Sequence, residues 1–99
     1  GLDMSAVFTI QSLDAIYIAS IADKLGIRVP EDLSILSFDN PGISDLYKHY
    51  FSHVEQNLEL MGAEAVELLI RAIHNPDTSE QIKIPVTLIE GRSTRSVAE

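Results

Sequence analysis

Residues 6–40, AVFTIQSLDAIYIASIADKLGIRVPEDLSILSFDN, set an apolar run, an amphipathic stretch and a second apolar run in immediate succession. Short β-branched runs flanking a segment of helical period read as a β-α-β unit. Such a unit leaves little freedom, because two strands joined through a helix pair in parallel and carry the helix across one face of their sheet. The first strand is expected over residues 5–10 and the second over residues 33–38. In open parallel sheets, ligands bind beyond the carboxyl ends of the strands. Gln11, Ser12, Asp39 and Asn40 therefore stand where recognition is expected.

Ser12 is placed to cap the intervening helix, with Asp14 favourable in its first turn and Gly26 as its stop. Ile18, Ile21, Ala22 and Leu25 recur at the spacing of one helix face, which should lie on the sheet. Leu13, Ile16 and Tyr17, with Ser20 beside them, make a smaller apolar stripe on the other side. Either another part of the same chain or a second subunit covers that stripe. The turn Val29-Pro30-Glu31-Asp32 leads into the second strand, which is apolar enough to be central and buried on both faces. Asp39-Asn40-Pro41-Gly42 stops it.

Residues 43–53 have no clean period and read as loop with room for one helical turn, followed by a short extended piece over 52–56. A second helix is expected over 58–74, with Asn57 as its cap and Asn75-Pro76 as its stop. Its apolar residues exceed one face, so it needs burial on more than one side. Residues 82–89 read as a last strand that Pro85 confines to an edge or an irregular position. Residues 92–99 read as a polar tail. The alternation of helices and strands makes the fold class α/β.

With 99 residues, of which 45% are hydrophobic, the chain can bury one modest core and no second domain. Fifteen acidic against seven basic residues give a net charge of −8, and the cations are scattered, which disfavours direct contact with a phosphate backbone. The absence of cysteine excludes disulfides and thiolate metal sites and fits a reducing cytoplasm. No apolar stretch reaches a membrane span, so a soluble protein is expected. His49 and His53 lie four apart, yet no third metal ligand is in reach by sequence and there is no H-E-x-x-H pattern. No metal or cofactor is expected. Without a G-x-S-x-G elbow, a Ser-His-Asp hydrolase is not supported either.

Three segments in order, GIRVPEDLSILSFDN, HVEQNLELMGAEAVELLIRAI and IPVTLIEGRST, resemble the C-terminal part of the effector-binding core of LacI/GalR-type bacterial transcription regulators. The resemblance covers residues 5–94. It implies a parallel-sheet periplasmic-binding-protein-like fold, seen here as a fragment: residues 5–56 in the C-terminal lobe, residues 57–76 as a helix of the other lobe, and residues 82–90 as a final strand. It implies a cytoplasmic homodimeric repressor and no enzyme. It also implies a small effector, a sugar or sugar derivative, that binds between the lobes and controls DNA binding by an N-terminal head absent here.

Carried onto this sequence, the resemblance makes Asp39 an acceptor for effector hydroxyls, a role that suits a carboxylate because it accepts from two donors at once. A plain strand-end turn residue is the other reading of Asp39. Gln11 stands where the family often has Asn followed by Asp, and the pair Gln11-Ser12 keeps an amide but loses the charge. Ser12 is a ligand contact or only a helix cap. Gln56 matches the family glutamine at the lobe crossover, where it reaches the effector or satisfies backbone groups. Leu58 replaces a stacking aromatic. Ile16, Tyr17 and Tyr47 fall where the family builds its dimer contact, and tyrosine suits such a surface. Two alternatives share parts of the pattern. A periplasmic solute-binding protein has the same lobed fold. A phosphoacceptor receiver domain also ends a strand in Asp before Pro-Gly, but it needs an acidic pair where this chain has Gln11-Ser12.

Overall fold

The computed structural model describes residues 4–40, 49–77 and 79–96. The chain divides into two compact units, one comprising Gly1–Glu55 and Thr87–Glu99 and the other Gln56–Val86.

The first unit contains β1 (Ala6–Thr9), α1 (Ser12–Lys24), β2 (Ser34–Phe38), β3 (Ser52–Glu55) and β4 (Thr87–Ile89). The strands form one sheet in the order β1-β2-β3-β4. β1 and β3 both run parallel to β2, with Thr9 opposite Ser37 and Ser37 opposite His53. β4 returns antiparallel to β3, so the expected parallel sheet is mixed at one edge. That edge strand is also shorter than expected. Residues 82–86 belong to the second unit, and Pro85 in that stretch has no N–H to give to a ladder.

α1 lies on the sheet through small residues. Ala15 and Ala22 are buried, and Ile16, Ile18 and Ala19 pack around Leu33, Ile35 and Phe51. Ile21 and Leu25, expected on the sheet side, are 55% and 69% exposed. Two alanines two turns apart let the helix backbone approach the strands closely, and this rotates the contact face away from Ile21 and Leu25. Ile16 is partly buried and packs against the core cluster, while Leu13, Tyr17 and Ile21 stand exposed on the outer side. Ile35 and Phe51 are almost fully buried, each contributing on the order of 1.5–3 kcal/mol of apolar transfer. Tyr50 packs edge-on against Phe51 with ring centroids 4.8 Å apart.

The segment after β4 is not a polar tail. Ser93 is fully buried; its N–H donates to Tyr50 O at 3.0 Å and its carbonyl accepts from Ile35 N at 2.8 Å. The Ser93 hydroxyl donates to Ile35 O at 2.6 Å and accepts from Ser52 N at 2.9 Å. Arg95 completes the strap by donating to the carbonyls of Pro30 and Glu31. At Gly91 a Cβ would lie 2.6 Å from Tyr50 O, so the strap approaches the strands as closely as it does because that side chain is missing.

The second unit is built on α2 (Leu58–His74). Asn57 caps it by accepting Leu60 N at 3.0 Å, and Asn75 ends it. None of its residues is buried, and Leu58, Val66, Leu69, Ile70 and Ile73 are exposed. Arg71 is held by Glu80 through paired bonds of 3.2 Å.

Candidate functional site

The carboxyl ends of β1 and β2 lie side by side, because Thr9 and Ser37 are register partners. Gln11 and Asp39 therefore each stand two residues beyond the same rung. Gln11 is exposed and is the N-cap of α1, with extended backbone and no side-chain capping bond. The amide expected to serve recognition is thus not spent on the helix. Ser12, expected as the cap, is instead the first helical residue and half-buried.

Asp39 departs from ordinary backbone geometry. Its φ is +64°, and it is the one non-glycine residue at positive φ among the described residues. Asp tolerates this region better than most side chains, yet such conformations still store on the order of 1–3 kcal/mol and cluster at binding sites. Its backbone is held on both sides. The Asp39 N–H donates to Val54 O at 2.7 Å, and its carbonyl accepts the Ser37 hydroxyl at 2.7 Å. Each bond contributes about 1 kcal/mol net, enough together to offset the strain.

Beneath these residues a polar rung crosses three strands: Thr9, Ser37 and His53, all buried. His53 Nδ1 meets Phe51 O at 3.0 Å, which makes Nδ1 the protonated nitrogen because a carbonyl only accepts. Its Nε2 and the Thr9 hydroxyl have no hydrogen-bond partner. Ser37 was not singled out by sequence reasoning. A hydroxyl between Leu36 and Phe38 in the apolar part of the strand, two residues before Asp39, was the available signal.

Gln56 belongs to the second unit, where it lines a cavity of about 170 Å³ with Asn57, Met61, Ile84, Pro85 and Val86. Of the expected dimer residues, Tyr17 is 64% exposed, Ile16 packs inward, and Tyr47 lies outside the described residues. A cavity of about 500 Å³ opens among Ala19, Asp23, Arg28, Glu31 and Tyr50. It lies at the opposite, amino-terminal end of the strands and contains none of the strand-end residues. The strand-end chemistry, and not cavity size, therefore locates the candidate site.

Residues 3–94 match the family of periplasmic binding protein-like domains. The chain is 32% identical over 90 residues to the HTH-type transcriptional repressor PurR of Erwinia tasmaniensis, covering 90% of this chain and 26% of that protein. It is 28% identical over 87 residues to the sucrose operon repressor of Streptococcus mutans, covering 88% and 27%. The chain thus spans about a quarter of the length of these curated relatives. Among solved structures, a putative transcriptional regulator LacI from Bacillus cereus subsp. cytotoxis superposes with a TM-score of 0.81 at 28% identity, over 99% of this chain and 36% of that one. The transcriptional regulator CelR in complex with cellobiose gives 0.74 at 28% identity, over 92% and 28%. Among the described residues no helix is long and apolar enough to cross a membrane. The chain belongs to the periplasmic binding protein-like domain family, and within it stands with the LacI-type transcription regulators.

Proposed function

We propose that this chain is the effector-sensing and dimerising part of a sugar-responsive repressor of the bacterial cytoplasm. Gln11, Ser12 and Asp39 are the effector contacts of the first unit, and Tyr17 and Tyr47 belong to the subunit interface. The observation that carries the reading is the left-handed Asp39 at the carboxyl end of the central strand, beside the uncommitted amide of Gln11. A carboxylate accepts from two sugar hydroxyls and an amide both donates and accepts, which matches a polyol without any catalytic group. The likeness to a regulator solved with cellobiose supports the same ligand class. Effector binding biases one of two arrangements of the dimer and so changes the spacing of DNA-binding heads carried elsewhere in the intact protein.

The test is selection of DNA from a random pool by the intact protein, followed by challenge with cellobiose, sucrose and ribose. One sugar should change retention of the selected DNA by about tenfold or more. DNA binding indifferent to all three, or no sequence-selective binding, would remove the proposal.

A further inference from the structure

Ser37 is fully buried, so its side chain touches no ligand. It shares the inward face of the sheet with Ile35, two residues earlier on β2, and an apolar residue of similar size would fill the same space. A buried hydroxyl is unfavourable unless its proton is used. That proton is not used sideways along the rung, where the Thr9 hydroxyl and His53 Nε2 make no hydrogen bond, the Glu55 carboxylate standing 3.7 Å from Nε2. It is directed forward along the strand, to Asp39 O at 2.7 Å with Phe38 O at 3.3 Å as a weaker second acceptor. The acceptor belongs to the residue whose φ is +64°. In a rung of three polar residues, the Ser37 hydroxyl thus holds the residue that alone among the described non-glycine residues has positive φ.

We infer that Ser37 is a positioning residue for Asp39: its hydroxyl locks the left-handed backbone from which the carboxylate is presented to the effector. This rests on the proposal that Asp39 contacts a sugar. The lock fixes the carboxylate before binding, so the ordering is not charged against affinity when the sugar arrives. Removing the hydroxyl frees Asp39 to sample the extended region and lowers the fraction of molecules in the competent geometry.

Two readouts test it in the full-length protein. By NMR, Ser37→Ala should accelerate exchange of the Asp39 amide by about tenfold and shift its HN–Hα coupling, leaving the Val7 and Ile35 amides unmoved. Ser37→Thr, which keeps the hydroxyl, should restore both. By calorimetry with cellobiose, sucrose and ribose, Ser37→Ala should weaken the sugar that binds by about tenfold, and should add nothing in an Asp39→Ala background, where no contacting side chain is left to position. An Asp39 amide unmoved by Ser37→Ala overturns the positioning role. So does an affinity lowered by Asp39→Asn but not by Ser37→Ala. An affinity unchanged by Asp39→Asn overturns the site itself, a separate failure that the amide measurement does not share.

Discussion

The backbone amide of Asp39 donates to the carbonyl of Val54 at 2.7 Å, tying the residue that follows β2 to the neighbouring strand β3. The bond is the last of the parallel ladder and closes the Phe38–Val54 pair, although Asp39 has already left the extended region. The strand end is therefore built, and its geometry has consequences that substitutions reveal.

Asp39→Val should destabilise the fold by about 1–3 kcal/mol, because a β-branched side chain is poorly accommodated at positive φ. Asp39→Asn should stay within about 0.5 kcal/mol of the wild type, since Asn tolerates the same region. Urea denaturation with unchanged m-values distinguishes them, and equal losses for both would mean that the left-handed conformation does not matter.

The strap formed by Gly91, Ser93 and Arg95 predicts two losses. Gly91→Ala drives a Cβ to 2.6 Å from Tyr50 O and 2.9 Å from Ser52 N, an overpacking that costs about 1–3 kcal/mol. Ser93→Ala removes the donor to Ile35 O and strands the Ser52 N–H, a loss of about 1–3 kcal/mol. Thermal unfolding checks both, and wild-type midpoints would show that the strap is not integral to the sheet.

Arg28 donates to Asp32 from its side chain and its backbone amide, with contacts of 2.9–3.1 Å. The side-chain bond from Arg28, reinforced by the backbone bond and its charge, holds the Asp32 carboxyl below the usual range. Folding therefore favours the ionised form. The small contribution of this exposed pair is complete above the unfolded Asp value, about 3.9, and is lost as pH falls through the lower folded value. NMR titration of Asp32 should show its midpoint rising toward the ordinary range in Arg28→Met. Identical midpoints would dismiss the pair.

Leu13, Tyr17 and Ile21 leave an apolar stripe on the outer side of α1, each about half exposed or more. Sedimentation of the intact protein should show Tyr17→Asp shifted toward monomer, while Ile16→Val, an inward change, should leave association unaltered. A dimer indifferent to Tyr17→Asp would place the interface elsewhere.

The β-α-β order and the extent of α2 were legible because hydrophobic period and capping residues act locally: Asn57 and Asn75 bracket α2 as their positions predict. The inward face of α1 was not legible. Ala15 and Ala22 carry little apolar weight in a pattern, yet smallness is what close helix-to-sheet packing selects. Ser93 escaped notice for a related reason, since its burial depends on bonds to Ile35 and Ser52, far away in sequence. At the candidate site, the strand-end logic singled out Gln11 and Asp39. The contribution of Ser37 became visible only once its hydroxyl could be followed to the Asp39 carbonyl.

Calorimetric titration of the intact protein with cellobiose, sucrose and ribose, repeated for Asp39→Asn, tests the central claim most directly. That exchange suits the same backbone conformation, removes the charge and turns one acceptor oxygen into a donor. One of the sugars should bind, and its affinity should fall by at least about tenfold in Asp39→Asn, the loss expected when charged hydrogen bonds become neutral ones. Equal affinity in the two proteins, or no binding of any sugar to the wild type, would contradict a sugar effector held by Asp39.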